Sequence, residues 1–90
     1  MKDILNKINM IYEHFGYENQ MNKLYEEMIE YKSATDIENE REEMCDIWVV
    51  LTGILFGKEE KENSKKIIDF KIKRTLRRIK DKYYEDIGEV

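Results

Sequence analysis

Apolar residues recur along this chain at spacings of three and four, the period of one helix face. Over the first fifteen positions they are Ile4, Ile8, Ile11, Tyr12 and Phe15, and Gly16 follows as a stop signal. Tyr17, Met21, Leu24, Met28 and Tyr31 predict a second helix. Ser33 to Asp36 breaks the pattern, and Thr35-Asp36-Ile37-Glu38 fits a capping box with Thr35 as N-cap. A third helix is then expected to run to about Phe56 and to end at Gly57. Its first half is charged, whereas Met44 to Phe56 is apolar nearly all round, the pattern of a helix buried on several sides. Lys58 to Asn63 reads as a charged link, with Asn63 or Ser64 capping a fourth helix. That helix carries the stripe Ile68, Ile72, Leu76, Ile79 and Tyr83, and the last residues, from Asp86 to Val90, are expected to fray. The prediction is an all-α chain of four helices.

Ninety residues make one small domain, 1–90, with a limited core, so assembly into oligomers is a natural source of further burial. The absence of proline and the presence of only four glycines favour long helices over a turn-rich β fold. The net charge of −4 gives no general nucleic-acid signal. The single cysteine, Cys45, has no internal disulfide partner and is expected to be a small buried hydrophobe. Trp48 is expected in the core, and His14, the one histidine, at the surface near a helix end. The apolar run containing Asp46 is too short to span a bilayer, and nothing resembles a secretory signal, so a cytoplasmic protein is expected.

The chemistry gathers in two carboxylate pairs of equal spacing, Glu27 with Glu30 and Glu43 with Asp46. Residues three apart share a helix face. Two antiparallel helices would therefore aim four carboxylates at one volume, where they repel unless a cation sits among them. Hard oxygen ligands suit Mg²⁺, which also holds substrate phosphates. Asp46 interrupts an apolar run, where an ionised carboxylate is costly unless paired or bound to metal. Glu26 and Glu42, beside the pairs, read as solvated.

GluGluMetIleGlu at 26–30, a short polar break and GluGluMetCysAsp at 42–46 resemble the EExxE…ExxD signature of MazG-like all-α nucleoside triphosphate pyrophosphohydrolases. The likeness runs from about Gly16 to about Arg78. It implies a MazG-like four-helix bundle completed by oligomerisation, as a homodimer or homotetramer. It also implies Mg²⁺-dependent hydrolysis of a nucleoside triphosphate to monophosphate and pyrophosphate, removing unwanted nucleotides. Glu27, Glu30, Glu43 and Asp46 would hold the metal, one of the glutamates serving as general base if any does. Gln20 resembles a polar position that precedes the glutamate pair, a candidate nucleotide contact. Members of the family tend to carry Lys and Arg in the last helix. Lys71, Arg74 and Arg78 lie on one side at i, i+3 and i+7, so they are the candidate triphosphate contacts. The opposite flank carries Lys73, Arg77 and Lys80.

Two other classes fit the same residues. One is a non-enzymatic helical interaction protein, or one that binds nucleic acid through the basic fourth helix. The other is a degenerate relative that keeps the bundle without turnover. The lack of a Gly-rich phosphate loop argues against a Walker-type nucleotidase.

Overall fold

The computed structural model describes residues 1–57 and 60–86, with side chains through residue 82. All regular structure among them is helical: α1 (Lys2–Lys32), α2 (Ile37–Phe56) and α3 (Lys61–Asp86). The first two predicted helices are thus one element, bent at Gly16. Its φ of 83° and ψ of 169° are non-helical. Gly16 redirects the chain as expected, and α1 is two helical segments joined across this kink. The stops and starts elsewhere shift slightly. Asp36, not Thr35, is the N-cap of α2, its Oδ1 accepting from the Asn39 amide at 2.8 Å. The third element starts at Lys61, so the charged link is shorter than expected. Residues 58, 59 and 87–90, which include most of the stretch expected to fray, lie outside the described residues.

Only the short turn at 33–36 separates α1 from α2, which forces an antiparallel pairing. The register follows from glycine. A Cβ on Gly53 would lie 3.3 Å from Tyr12 Cβ, and one on Gly57 would lie 2.8 Å from Tyr12 Cε1. Absence of those side chains lets the N-terminal half of α1 lie against the end of α2. By the same antiparallel register, the second half of α1 faces the start of α2, which brings Glu27 and Glu30 opposite Glu43.

The buried apolar side chains among the described residues are Ile8, Leu24 and Val50. Four polar ones, Gln20, Glu27, Thr52 and Ser64, are buried with them. Beyond Gly16, α1 turns inward the face that carries Gln20, Leu24 and Glu27 at i, i+4 and i+7, and leaves Tyr17, Tyr25 and Met28 exposed. The inner face is therefore rotated from the apolar stripe toward the polar residues. On α2 the expectation of burial all round is corrected. Cys45 is exposed, and Trp48 is 43% exposed. The reason is that α2 has cover from α1 along one side, while α3 packs on its C-terminal end alone.

The last helix departs from α2 after Ser64 and the half-buried Ile68. Ile72, Leu76 and Ile79 are all more than half exposed. The chain measures 53 × 37 × 23 Å, with a radius of gyration of 17.3 Å. A compact chain of this length would have one of about 12 Å. No helix is long and apolar enough to cross a membrane among the described residues.

The bend at Gly16 carries a prediction. With positive φ and ψ near 180°, it occupies a region that is nearly glycine-only and worth roughly 1–3 kcal/mol of strain to other residues. A Cβ there would meet nothing within 4 Å, so the penalty is purely a backbone one. Gly16→Ala is expected to lower stability by roughly 1–3 kcal/mol in urea unfolding. An unchanged midpoint would show that the two halves of α1 are not held at this angle.

Candidate metal centre

Glu27 and Glu30 reach the site from α1 and Glu43 from α2. Each helix supplies its ligands from the same short stretch because the turn at 33–36 fixes the register. One carboxylate oxygen from each of the three glutamates lies within 4.8 Å of the other two. They span a gradient of cover: Glu27 is 4% exposed, Glu43 is half-buried and Glu30 faces solvent. The site therefore has a closed floor and an open mouth.

The floor is under-satisfied. Oε2 of Glu27 and Oε2 of Glu43 are buried without a hydrogen-bond partner. A buried carboxylate oxygen left so is expensive. Oε1 of Glu27 receives the Lys23 ammonium at 3.0 Å, and the same ammonium lies 3.8 Å from Glu26. Lys23 was not singled out from the sequence, although its i, i+4 spacing to Glu27 is the ordinary signal for an ion pair on one helix.

Three carboxyls this close do not ionise independently. Burial and the hydrogen bond with Glu27, with the charge of Glu30, push Glu43 up to about 7. The hydrogen bond and charge of Glu27 hold Glu30 above its ordinary value. Glu27 goes the other way. Burial raises it, but the hydrogen bonds from Lys23 and Glu30 outweigh that and hold it below the carboxylate range. Lys23 is raised in turn by its hydrogen bond to Glu27 and by that carboxylate's charge. Without a cation the cluster thus favours the ionised form of Glu27, against Lys23, and disfavours the ionised forms of Glu30 and Glu43. A divalent ion is the alternative way to settle the same charges. The donor set fits such an ion: oxygen ligands alone, two of them buried and unpaired, with an opening for water or phosphate.

The remaining sequence candidates fall outside this cluster. Asp46, one turn beyond Glu43 on α2, is exposed and does not join the three glutamates. Its exposure also removes the burial cost that made a compensating partner seem necessary. Gln20 is buried on the same face as Glu27, two turns earlier on α1. Glu26 and Glu42 are exposed, as expected of solvated neighbours. Lys71, Arg74 and Arg78 are exposed on α3 and are not brought to the carboxylates of their own chain. The Arg74 guanidinium instead lies 5.7 Å from the centre of the Phe70 ring. On the other flank, Lys73 pairs with Asp69 at 2.9 Å.

Comparison with protein-family models, with curated proteins and with solved structures finds no match to this chain.

Proposed function

We propose that this protein is a Mg²⁺-dependent nucleoside triphosphate pyrophosphohydrolase of the MazG-like kind, cutting between the α and β phosphorus atoms. The observation that carries the proposal is the convergence of Glu27, Glu30 and Glu43 across two helices, with buried oxygens of Glu27 and Glu43 left unpaired. The likeness of residues 26–30 and 42–46, which include the same three glutamates, to the EExxE…ExxD signature also supports it. The helical architecture is compatible with a bundle that oligomerisation completes.

Glu27, Glu30 and Glu43 would hold the ion, while Asp46, on the next turn from Glu43, is exposed outside the three. When bound, a magnesium ion neutralises phosphate charge and lowers the pKa of a coordinated water. Glu30 faces solvent, which suits it to receive a proton from water at the mouth of the site. Lys23 holds Glu27 ionised and oriented. Gln20, buried on the same face, is the proposed nucleotide-side contact from α1.

The test is incubation with a panel of ordinary, deoxy and modified nucleoside triphosphates and Mg²⁺, with products resolved. Monophosphate and pyrophosphate are expected for at least one substrate. Diphosphate with orthophosphate would reject the assigned bond, and no turnover across the panel would reject the activity. A nucleic-acid-binding reading has one observation in its favour, the exposed basic length of α3. It predicts duplex affinity that falls steeply with salt.

A further inference from the structure

At the opposite end of the hairpin from the glutamates, three helices meet around a second concave site. The N-terminal half of α1, the end of α2 and the start of α3 enclose a cavity of about 440 Å³. That is within the usual size of a small-molecule site. Thr52 and Phe56 line it, nine and thirteen residues past Glu43 on α2, about 14 and 20 Å along the helix. None of the three clustered glutamates touches it.

The lining is graded from apolar to charged. Ile8, Thr52 and Gly53 are its buried part. Leu5 and the half-buried Phe56 continue the apolar surface outward, and the exposed Lys61 and Lys65 stand at the rim.

Two polar features call for a ligand. The first is Asn9, which lines the cavity. Its Nδ2 donates to Glu13 Oε1 at 3.4 Å, which assigns the amide nitrogen to that side. Its Oδ1 is buried without a hydrogen-bond partner, a costly state for an amide oxygen. The second is the lysine pair. Lys61 and Lys65 are one turn apart at the beginning of α3, where the helix's own first amides add partial positive charge. Neither ammonium has a carboxylate partner among the described residues. Water can donate to Asn9, but it gains nothing from the apolar lining between that oxygen and the lysines.

We propose that this cavity binds a small amphipathic organic anion. A flat apolar ring would lie among Ile8, Gly53 and Phe56, an N–H or O–H group would donate to Asn9 Oδ1, and a carboxylate or phosphate would sit between Lys61 and Lys65. Such a ligand touches all three helices. It therefore ties α3, which otherwise packs on the end of α2 alone, to the hairpin. The site shares no residue with the glutamate cluster and does not rest on the nucleotide reading.

Indole-3-propionate carries the ring, the N–H and the carboxylate, and it is the first probe, followed by ¹H–¹⁵N NMR of the full chain. Saturable shifts are expected at Asn9, Thr52, Gly53 and Lys65. Indole, which lacks the charge, and 1-naphthalenepropionate, which lacks the donor, are each expected to bind about tenfold more weakly. The Lys61→Gln, Lys65→Gln double variant should bind indole-3-propionate no better than indole. In Asn9→Leu the two ring acids should bind alike. That substitution removes a buried unpaired acceptor, so the fold is expected to survive it. Indoxyl phosphate, run in parallel, tells a phosphate ligand from a carboxylate one, and saturable binding of either supports the site. No saturable shift at the cavity residues with either anion would overturn the proposal. So would shifts centred on Glu27 and Glu43, equal affinity for indole and indole-3-propionate, or an N–H preference that survives in Asn9→Leu.

Discussion

Magnesium at a hundredfold excess over its dissociation constant is expected to stabilise the folded protein by about 2.7 kcal/mol, because it binds the assembled cluster and not the unfolded chain. For a domain of this size that is a rise in thermal midpoint on the order of 10–20 °C. The expectation comes from the floor of the site. Glu27 and Glu43 each bury an oxygen with no partner, and the ion supplies one to both. Glu27→Gln removes the charge of the most buried of the three ligands and is expected to abolish the response. Asp46→Asn is expected to keep most of it, since the exposed Asp46 stands outside the three-glutamate cluster. Thermal unfolding of the three proteins with Mg²⁺ and with EDTA makes the comparison. If Glu27→Gln still responds like the wild type, the cluster is not the binding site. If Asp46→Asn loses the response as completely as Glu27→Gln, the quartet written in the sequence is the working site and Asp46 turns inward on binding.

What the sequence made legible follows from periodicity and local rules. The 3.6-residue repeat locates every helical segment, and the breaks at Gly16, at 33–36 and near Gly57 are where the chain changes direction. Glu27, Glu30 and Glu43 were legible because equal spacings on antiparallel helices bring like positions together. The facing of each helix was less so. The apolar stripe of α1 predicts Met28 inward, yet the inner face carries Gln20 and Glu27. Periodicity says that a face is apolar, not which neighbour covers it, and in a single chain part of the Tyr17–Tyr31 stripe has no neighbour. The same limit explains Cys45 and Trp48, which lie in an apolar run but meet solvent. Lys23 was overlooked for a different reason. In a chain with 40% charged residues, a lysine four before a glutamate is commonplace, and burial of its partner is what distinguishes this pair.

The strength of the metal response is expected to depend on pH, with opposite signs in the free and bound forms. Glu43 is held up to about 7, well above its ordinary 4.5, so the folded chain binds that proton more tightly than the unfolded chain does. The stability it contributes without metal is therefore fully present below about pH 4.5 and is lost as pH rises through about 7. Glu30 is shifted in the same direction and adds to the fall. Glu27, held low by Lys23 and Glu30, works the other way, its contribution being lost as pH drops below the carboxylate range. Between pH 5 and 8 the raised pair decides the sign, and the metal-free protein should become less stable with rising pH. Binding reverses this, because a ligand carboxylate must first release its proton. Magnesium affinity is expected to fall by at least about tenfold for each unit below pH 7, Glu43 giving up one proton per ion and the raised Glu30 adding to the fall. Glu43→Gln, which carries no proton to release, should flatten the metal-free profile and bind magnesium weakly at every pH. Thermal midpoints from pH 5 to 8, with EDTA and with a fixed low magnesium concentration, test both halves. A magnesium response equally large at pH 5.5 and pH 8 would mean that Glu43 is not among the ligands.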